Sequence, residues 1–310
     1  MINVFYSLNH LRLYYYIIFR SKIMIECLRR HRFKLIFLLF IILLIIIIIL
    51  AVLLDQEKHK NNSNSIDDQK TKITGSLSVK DLVDNWEKSS DWNITKFIYG
   101  KDNVNLINNS YIKVEYEAGS YANDGGFKFY SQPPFIFPSS SACFSYLVRF
   151  PNNFDFVRGG KLPGMWLGQI GANGGRNLDD GFSSRFMWRD SGNAEVYLYI
   201  PRNQTREYYN MTLDNNRFGN SLWRGLINLR LNIWNNMTMC IRVNNFNSYD
   251  GIIKVIVNNV TLEYNKLKWN NNNELISGLM MNTFFGGSDI SWAPDEDTAT
   301  YFANFTVWNF

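Results

Sequence analysis

An all-β domain, folded as a jelly-roll sandwich of two antiparallel sheets and preceded by one transmembrane helix, is the architecture this sequence predicts. Three observations carry it. Most of the chain is a succession of short runs rich in Val, Ile, Tyr, Phe and Trp, broken by Asn, Gly, Asp and Pro, the pattern of strands and turns. Those runs show no long helical period, no heptad and no internal repeat. The exception is 35–54, 20 residues without a charge, an amide or a hydroxyl. As a helix it would be about 30 Å long, one hydrocarbon core thick.

Taken in order, residues 1–34 form a basic segment, in which Arg12, Arg20, Lys22, Arg29, Arg30, Arg32 and Lys34 stand against Glu26. That segment sums to +6 of a formal net charge of +5, so everything after it sums to −1. The run 35–54 is longer than a signal-peptide core and continues through Ala51 and Leu54 into Asp55, so it reads as an uncleaved signal anchor. Its basic flank is N-terminal, while Lys58 and Lys60 are offset by Asp55 and Glu57. The positive-inside rule then expects a single-pass protein with a cytosolic N-terminus and a lumenal, extracellular or virion-surface domain. Residues 55–78 are polar enough to be a solvated stalk. The folded domain is expected over 79–310, with its clearest strands at 112–116, 127–130, 143–150, 182–188, 195–200, 237–243, 252–257, 279–285 and 300–310. So many strands suit two packed sheets better than a small barrel.

The near-neutral outer region gives no global reason to expect nucleic acid as a partner. Glycosylation sequons at Asn61, Asn93, Asn108, Asn203, Asn210, Asn236, Asn259 and Asn304 fit a domain in the secretory lumen or beyond, although an Asn-rich chain makes several by chance. Cys143 and Cys240 both fall in strand-like runs. Buried free thiols are the ordinary reading, and a disulfide is the alternative in an oxidising compartment.

The only histidines are His10, His31 and His59, all ahead of the folded domain. Histidine-dependent nucleophile systems and most zinc sites are thereby excluded from it, leaving acid and base work to carboxylates, Lys, Tyr or Cys. Two strands then stand out. Alternation along Phe182-Ser-Ser-Arg-Phe-Met-Trp188 puts Ser183, Arg185 and Met187 on one face and Phe182, Ser184, Phe186 and Trp188 on the other, core-like face. Along Glu195-Val-Tyr-Leu-Tyr-Ile200, the apolar Val196, Leu198 and Ile200 oppose Glu195, Tyr197 and Tyr199. Paired as a hairpin through Arg189-Asp-Ser-Gly-Asn193, the strands would gather a hydroxyl, a guanidinium and two phenols, although Tyr and Arg also commonly occupy a half-exposed strand face.

Four motifs in order carry a resemblance: Gly159-Gly-Lys-Leu-Pro-Gly164, Gly181-Phe-Ser-Ser-Arg-Phe-Met-Trp-Arg189, Glu195-Val-Tyr-Leu-Tyr199, and Thr283-Phe-Phe-Gly-Gly-Ser-Asp289 with Trp292-Ala-Pro294. Over about 145–310 the chain resembles polysaccharide lyase family 14, alginate and polyuronate lyases of algal viruses and algae-eating molluscs with a β-jelly-roll fold. The resemblance implies catalytic roles for Lys161, for the Ser183 and Arg185 pair and for the Tyr197 and Tyr199 pair. It also implies an acidic polysaccharide as substrate, β-elimination as the reaction, and no metal or organic cofactor. In that chemistry Arg185 suits the uronate carboxylate, whose charge builds as the adjacent proton leaves. The tyrosines suit proton transfer to and from oxygen, their pKa values expected to fall beside Lys and Arg. Lys161 is either the base or a carboxylate clamp, and Ser183 binds substrate or orients Arg185.

Arg189, Arg202 and Trp292 are candidates for substrate binding, with ordinary solvated charges and core packing as the alternatives. Phe284 and Phe285 read rather as core, and Asp289, Asp295, Glu296 and Asp297 as a solvated loop without calcium-loop spacing. A glycoside hydrolase needs paired carboxylates, but Glu195 has tyrosines two and four residues on. The remaining alternative is a non-catalytic carbohydrate-binding module displayed on a membrane, which loss of Lys161 or of either tyrosine would have favoured.

Overall fold

The computed structural model describes residues 73–310 except 123, 169–180 and 214–217. The basic segment, the apolar run 35–54 and most of the expected stalk therefore lie outside the described residues. Among the described residues no helix is long and apolar enough to cross a membrane.

Alternation of side chains builds the strands. Along β4 (Tyr111–Tyr116) every second residue is buried, and the same holds for β13 (Gly251–Val257), because successive side chains point to opposite sheet faces. The other strands are β1 (Thr74–Leu77), β2 (Ile94–Tyr99), β3 (Val104–Ile107), β5 (Phe127–Ser131), β6 (Ser141–Arg149), β7 (Gly159–Gly168), β8 (Gly181–Arg189), β9 (Asn193–Tyr199), β10 (Thr212–Leu213), β11 (Asn220–Asn228), β12 (Trp234–Arg242), β14 (Val260–Leu267), β15 (Ile276–Phe285) and β16 (Thr298–Trp308). Two short helices, α1 (Val79–Asp84) and α2 (Arg206–Asn210), are capped by Ser78 and Thr205, whose hydroxyls accept from backbone N–H groups.

Two eight-stranded antiparallel sheets result. The first runs β14-β13-β12-β6-β16-β4-β3 with β1 on β16, the second β10-β11-β9-β8-β7-β15-β5-β2. This all-β arrangement is consistent with a jelly-roll sandwich. Contacts between the sheets mark the core: Tyr116 on β4 hydrogen-bonds Thr283 on β15 at 2.5 Å, and the hydroxyl of Tyr146 on β6 donates to the Pro163 carbonyl of β7 at 3.2 Å. Aromatic pairs such as Phe127 with Phe302 and Tyr116 with Trp188 bridge the same gap.

All nine segments read as strands coincide with strands of the structure. Three features differ from expectation. The sheets begin earlier than Val79: β1, inside the stretch assigned to the stalk, pairs with the last strand through Thr74 opposite Trp308. A ten-residue strand, β7, was not anticipated, because Gly159, Gly160, Pro163, Gly164 and Gly168 are the usual marks of a loop. Finally, Cys143 and Cys240, opposed in the β6/β12 register with Cα atoms 3.9 Å apart, form a disulfide rather than free thiols. The sequon asparagines that are described, Asn93, Asn108, Asn203, Asn210, Asn236, Asn259 and Asn304, are all exposed.

Candidate active site

Strands β8 and β9 pair as the expected hairpin, joined by a 3-10 turn at Asp190–Gly192. Their register sets Ser183 opposite Tyr199, Arg185 opposite Tyr197 and Met187 opposite Glu195. Phe182, Phe186, Trp188, Val196, Leu198 and Ile200 enter the main core, whereas Met187, Tyr197 and Tyr199 cluster separately with half-buried Trp292. Alternation thus sorts this hairpin as the sequence indicated, and one face collects the polar set.

Lys161 joins it from β7, the neighbour of β8 in the second sheet. It pairs with Met187, and a register shift follows before Gly164 pairs with Arg185. The glycines permit the approach: a Cβ on Gly160 would run into the Trp188 ring, and one on Gly164 into the Ser184 carbonyl. The Lys161 ammonium nitrogen lies 2.7 Å from the Met187 sulfur and 3.4 Å from the centre of the Tyr197 ring. A thioether and a ring face are poor substitutes for water around an ammonium ion. Burial accordingly drives the Lys161 pKa well below its ordinary value, and the Arg185 and Arg189 charges push it in the same direction.

The phenols behave otherwise than expected. Burial raises the Tyr197 pKa, assisted by neighbouring Tyr199, and this outweighs the pull of Arg189 in the other direction. The expectation of a lowered tyrosine pKa fails for Tyr197 because dehydration of a phenolate costs more than a cation at this distance returns. Tyr197 is therefore a proton donor at neutral pH, and its oxygen accepts a hydrogen bond from the Gly219 N–H at 3.2 Å.

Arg185, only 3% exposed, places Nη1 3.5 Å from the Met280 sulfur, and its Nε has no hydrogen-bond partner among the described residues. Several residues beyond it were not singled out in the sequence. On β5, Lys128 and Tyr130 share the face opposite to Phe127 and Phe129, which enter the core. Burial and the Arg185 charge push Lys128 down to about 8. Asn282 on β15 pairs with Lys128, is fully buried, and has neither amide atom hydrogen-bonded among the described residues. The alternation of Phe127-Lys-Phe-Tyr130 was a legible signal for the first two, whereas a single amide inside Met280-Met-Asn-Thr283 offers only its polarity.

Tyr197 also lines an open groove of about 620 Å³, together with Arg158, Arg189, Arg224 and Trp292, among others. Two of the expected binding residues, Arg189 and Trp292, meet there. Arg202 does not: it is exposed in the chain after β9 and outside the groove lining, its carbonyl accepting from the Tyr209 hydroxyl. Phe285 is core, while half-buried Phe284 pairs with Lys161. Asp289 caps the turn at Ile290–Trp292, and Asp297 accepts from the Ala118 N–H, as befits structural loop carboxylates.

Comparison with known proteins agrees with this geometry. Residues 105–305 match the family described as Polysaccharide lyase 14. The solved PL-14 alginate lyase of the mollusc Aplysia kurodai is 31% identical, with a TM-score of 0.68 over 77% of this chain and 100% of its own. The alginate lyase vAL-1 of Chlorella virus is 25% identical, with a TM-score of 0.66 over 76% of this chain and 99% of its own. Exolysin of Paramecium bursaria Chlorella virus 1 is 25% identical over 200 residues, 54% of this chain, which spans only 29% of that protein's length. On the family match, the mollusc enzyme and the shared fold together, the chain belongs to polysaccharide lyase family 14.

Proposed function

We propose that this polysaccharide lyase cleaves uronic-acid polymers of the alginate, mannuronate or glucuronan type by β-elimination, with Lys161 as base and Tyr197 as acid. The observation that carries the reading is the dehydrated Lys161 amine, pressed on Met187 and Tyr197 beside the buried Arg185. An amine whose protonated form burial disfavours can take the C5 proton of a uronate, the electron pair moving toward the carboxylate and then into a C4–C5 double bond. Arg185, a guanidinium that stays cationic in proteins although burial lowers its pKa, neutralises the carboxylate as negative charge accumulates there. The bond from C4 to O4 breaks, and the departing oxygen takes the proton that Tyr197 retains because its pKa is raised. Ser183 and Tyr199, paired with each other across the hairpin, hold the sugar in this reading.

The chain is further proposed to act outside the cytosol, tethered through 35–54. The apolar length and basic flank of that segment support this reading, as do the Cys143–Cys240 disulfide and the exposed sequons.

The test is the ultraviolet absorbance of unsaturated ends while the full chain is incubated with alginate, polymannuronate or glucuronan. Absorbance should rise with one of them and be lost in Lys161→Ala, while Arg185→Ala should retain at most about 10⁻² of the rate, the usual cost of removing a charge-stabilising donor. New reducing ends without absorbance would mean hydrolysis, and binding without either would mean a carbohydrate-binding module.

A further inference from the structure

Among the described residues Glu195 is the one buried carboxylate, and it stands opposite Met187 in the β8/β9 register. It is fully buried on β9, between β8 and β11 in the sheet. One oxygen accepts from the Arg189 guanidinium at 2.5 Å, and the other lies 3.3 Å from Arg224 Nε. A lone buried carboxylate costs several kcal/mol, which the Arg189 hydrogen bond and the Arg224 charge offset. Glu195 thereby hydrogen-bonds the Arg189 guanidinium through Oε1, while Oε2 forms an ion pair with Arg224 of another strand and has no hydrogen bond among the described residues.

Neither arginine is used up by the pairing. Arg189 is 6% exposed, lines the groove with Tyr197, and keeps a buried Nε without a hydrogen-bond partner among the described residues. The Arg224 side chain is 37% exposed toward the same groove. A third cation, Arg158, lies 4.9 Å over the Trp292 ring and donates to Ser291 at 2.6 Å. Arg189 also stands 5.9 Å from Trp292 and 5.8 Å from Tyr197. Against these cations the groove lining sets one acidic residue, Asp190. Three forked donors, two ion-paired with a buried anion and two over an aromatic face, have the chemistry to receive a carboxylate.

We infer that the groove lined by Arg158, Arg189, Arg224 and Trp292 is a second carboxylate-binding subsite, which takes a uronate unit next to the one being cleaved. Glu195 is its positioning residue. Tyr197 joins the two, since it lines the groove and carries Lys161 against its ring. The ligand class rests on the lyase reading, but the receptor geometry does not.

The test measures binding rather than turnover. Full-chain protein carrying Lys161→Ala is titrated with polymannuronate and with its carboxyl-reduced, neutral counterpart. Adding Arg158→Ala and Arg224→Ala, both exposed positions that leave the core intact, should raise Kd for the charged polymer about tenfold, the effect of one lost charge-assisted contact or two weak ones. It should also flatten the salt dependence of binding. Glu195→Gln, which keeps the shape and removes the charge, should weaken binding in the same direction, and in the active protein it should raise KM more than it lowers kcat. Unchanged Kd and salt slope in the double variant, or equal affinity for the neutral polymer, would overturn the subsite. Arginine-dependent binding by a wild-type protein that makes no unsaturated product would leave the subsite standing and remove the lyase reading. Turnover with arginine-independent binding would do the reverse.

Discussion

Lys161 is stored in the folded protein at a cost. Its pKa lies well below the ordinary 10.5 because its surroundings disfavour the charged form. Between the lowered value and 10.5 the unfolded chain holds one proton more than the folded one, so this residue makes stability rise with pH across that window. Below the window both states are protonated and the burial cost is felt in full. Lys161→Met should therefore stabilise the domain by about 0.5–2 kcal/mol at low pH, the usual return for removing a strained functional group. The gain should shrink as pH approaches 10.5. Melting temperatures of both proteins across pH check this, and a parallel pair of curves would contradict it. With Lys161 as the proposed base, the acid limb of the activity profile should rise as the amine loses its proton. Since Glu195 raises the Lys161 pKa, Glu195→Gln should move that limb to lower pH, read as kcat against pH.

Among the elements, β8 and β9 were legible because their apolar and polar residues alternate, so the sequence assigned each side chain to a face before any partner strand was known. Strand β7 was not legible, for a reason rooted in packing. A strand normally announces itself through β-branched and aromatic residues, but β7 needs glycine at Gly160 and Gly164, where Trp188 and the Ser184 carbonyl leave no room for a Cβ. Its role in carrying Lys161 came only from family resemblance. Arg224 was hidden for a related reason, since β11 changes register between Leu222 and Ile227 and breaks the alternation there. The packing argument yields a test: Gly160→Ala should cost about 1–3 kcal/mol, the range for overpacking a close-packed site. Chemical denaturation would show it as a lower midpoint at unchanged slope, and a wild-type midpoint would refute the proposed crowding.

At the scale of the whole domain, the disulfide joins two strands 97 residues apart in sequence, so it closes much of the chain into a loop. Loop-closure entropy assigns such a cross-link about 4–5 kcal/mol. Urea unfolding with and without reductant should differ by that order, and coincident curves would show that the sheets hold without it. The cleft lies on the other sheet from the cross-link, so reduction should lower stability without rearranging Lys161, Arg185 and the tyrosines.

The two ends of the sandwich meet. The Ile73 N–H donates to the Asn309 side chain at 2.9 Å, and the Asn309 N–H returns a bond to the Ile73 carbonyl at 3.2 Å. A unit that enters and leaves at one point occupies no more contour in a host polypeptide than a surface loop does, and units of this kind tolerate insertion and permutation. The architecture is thus portable: it can be spliced into a longer protein without forcing the flanking parts of the host apart.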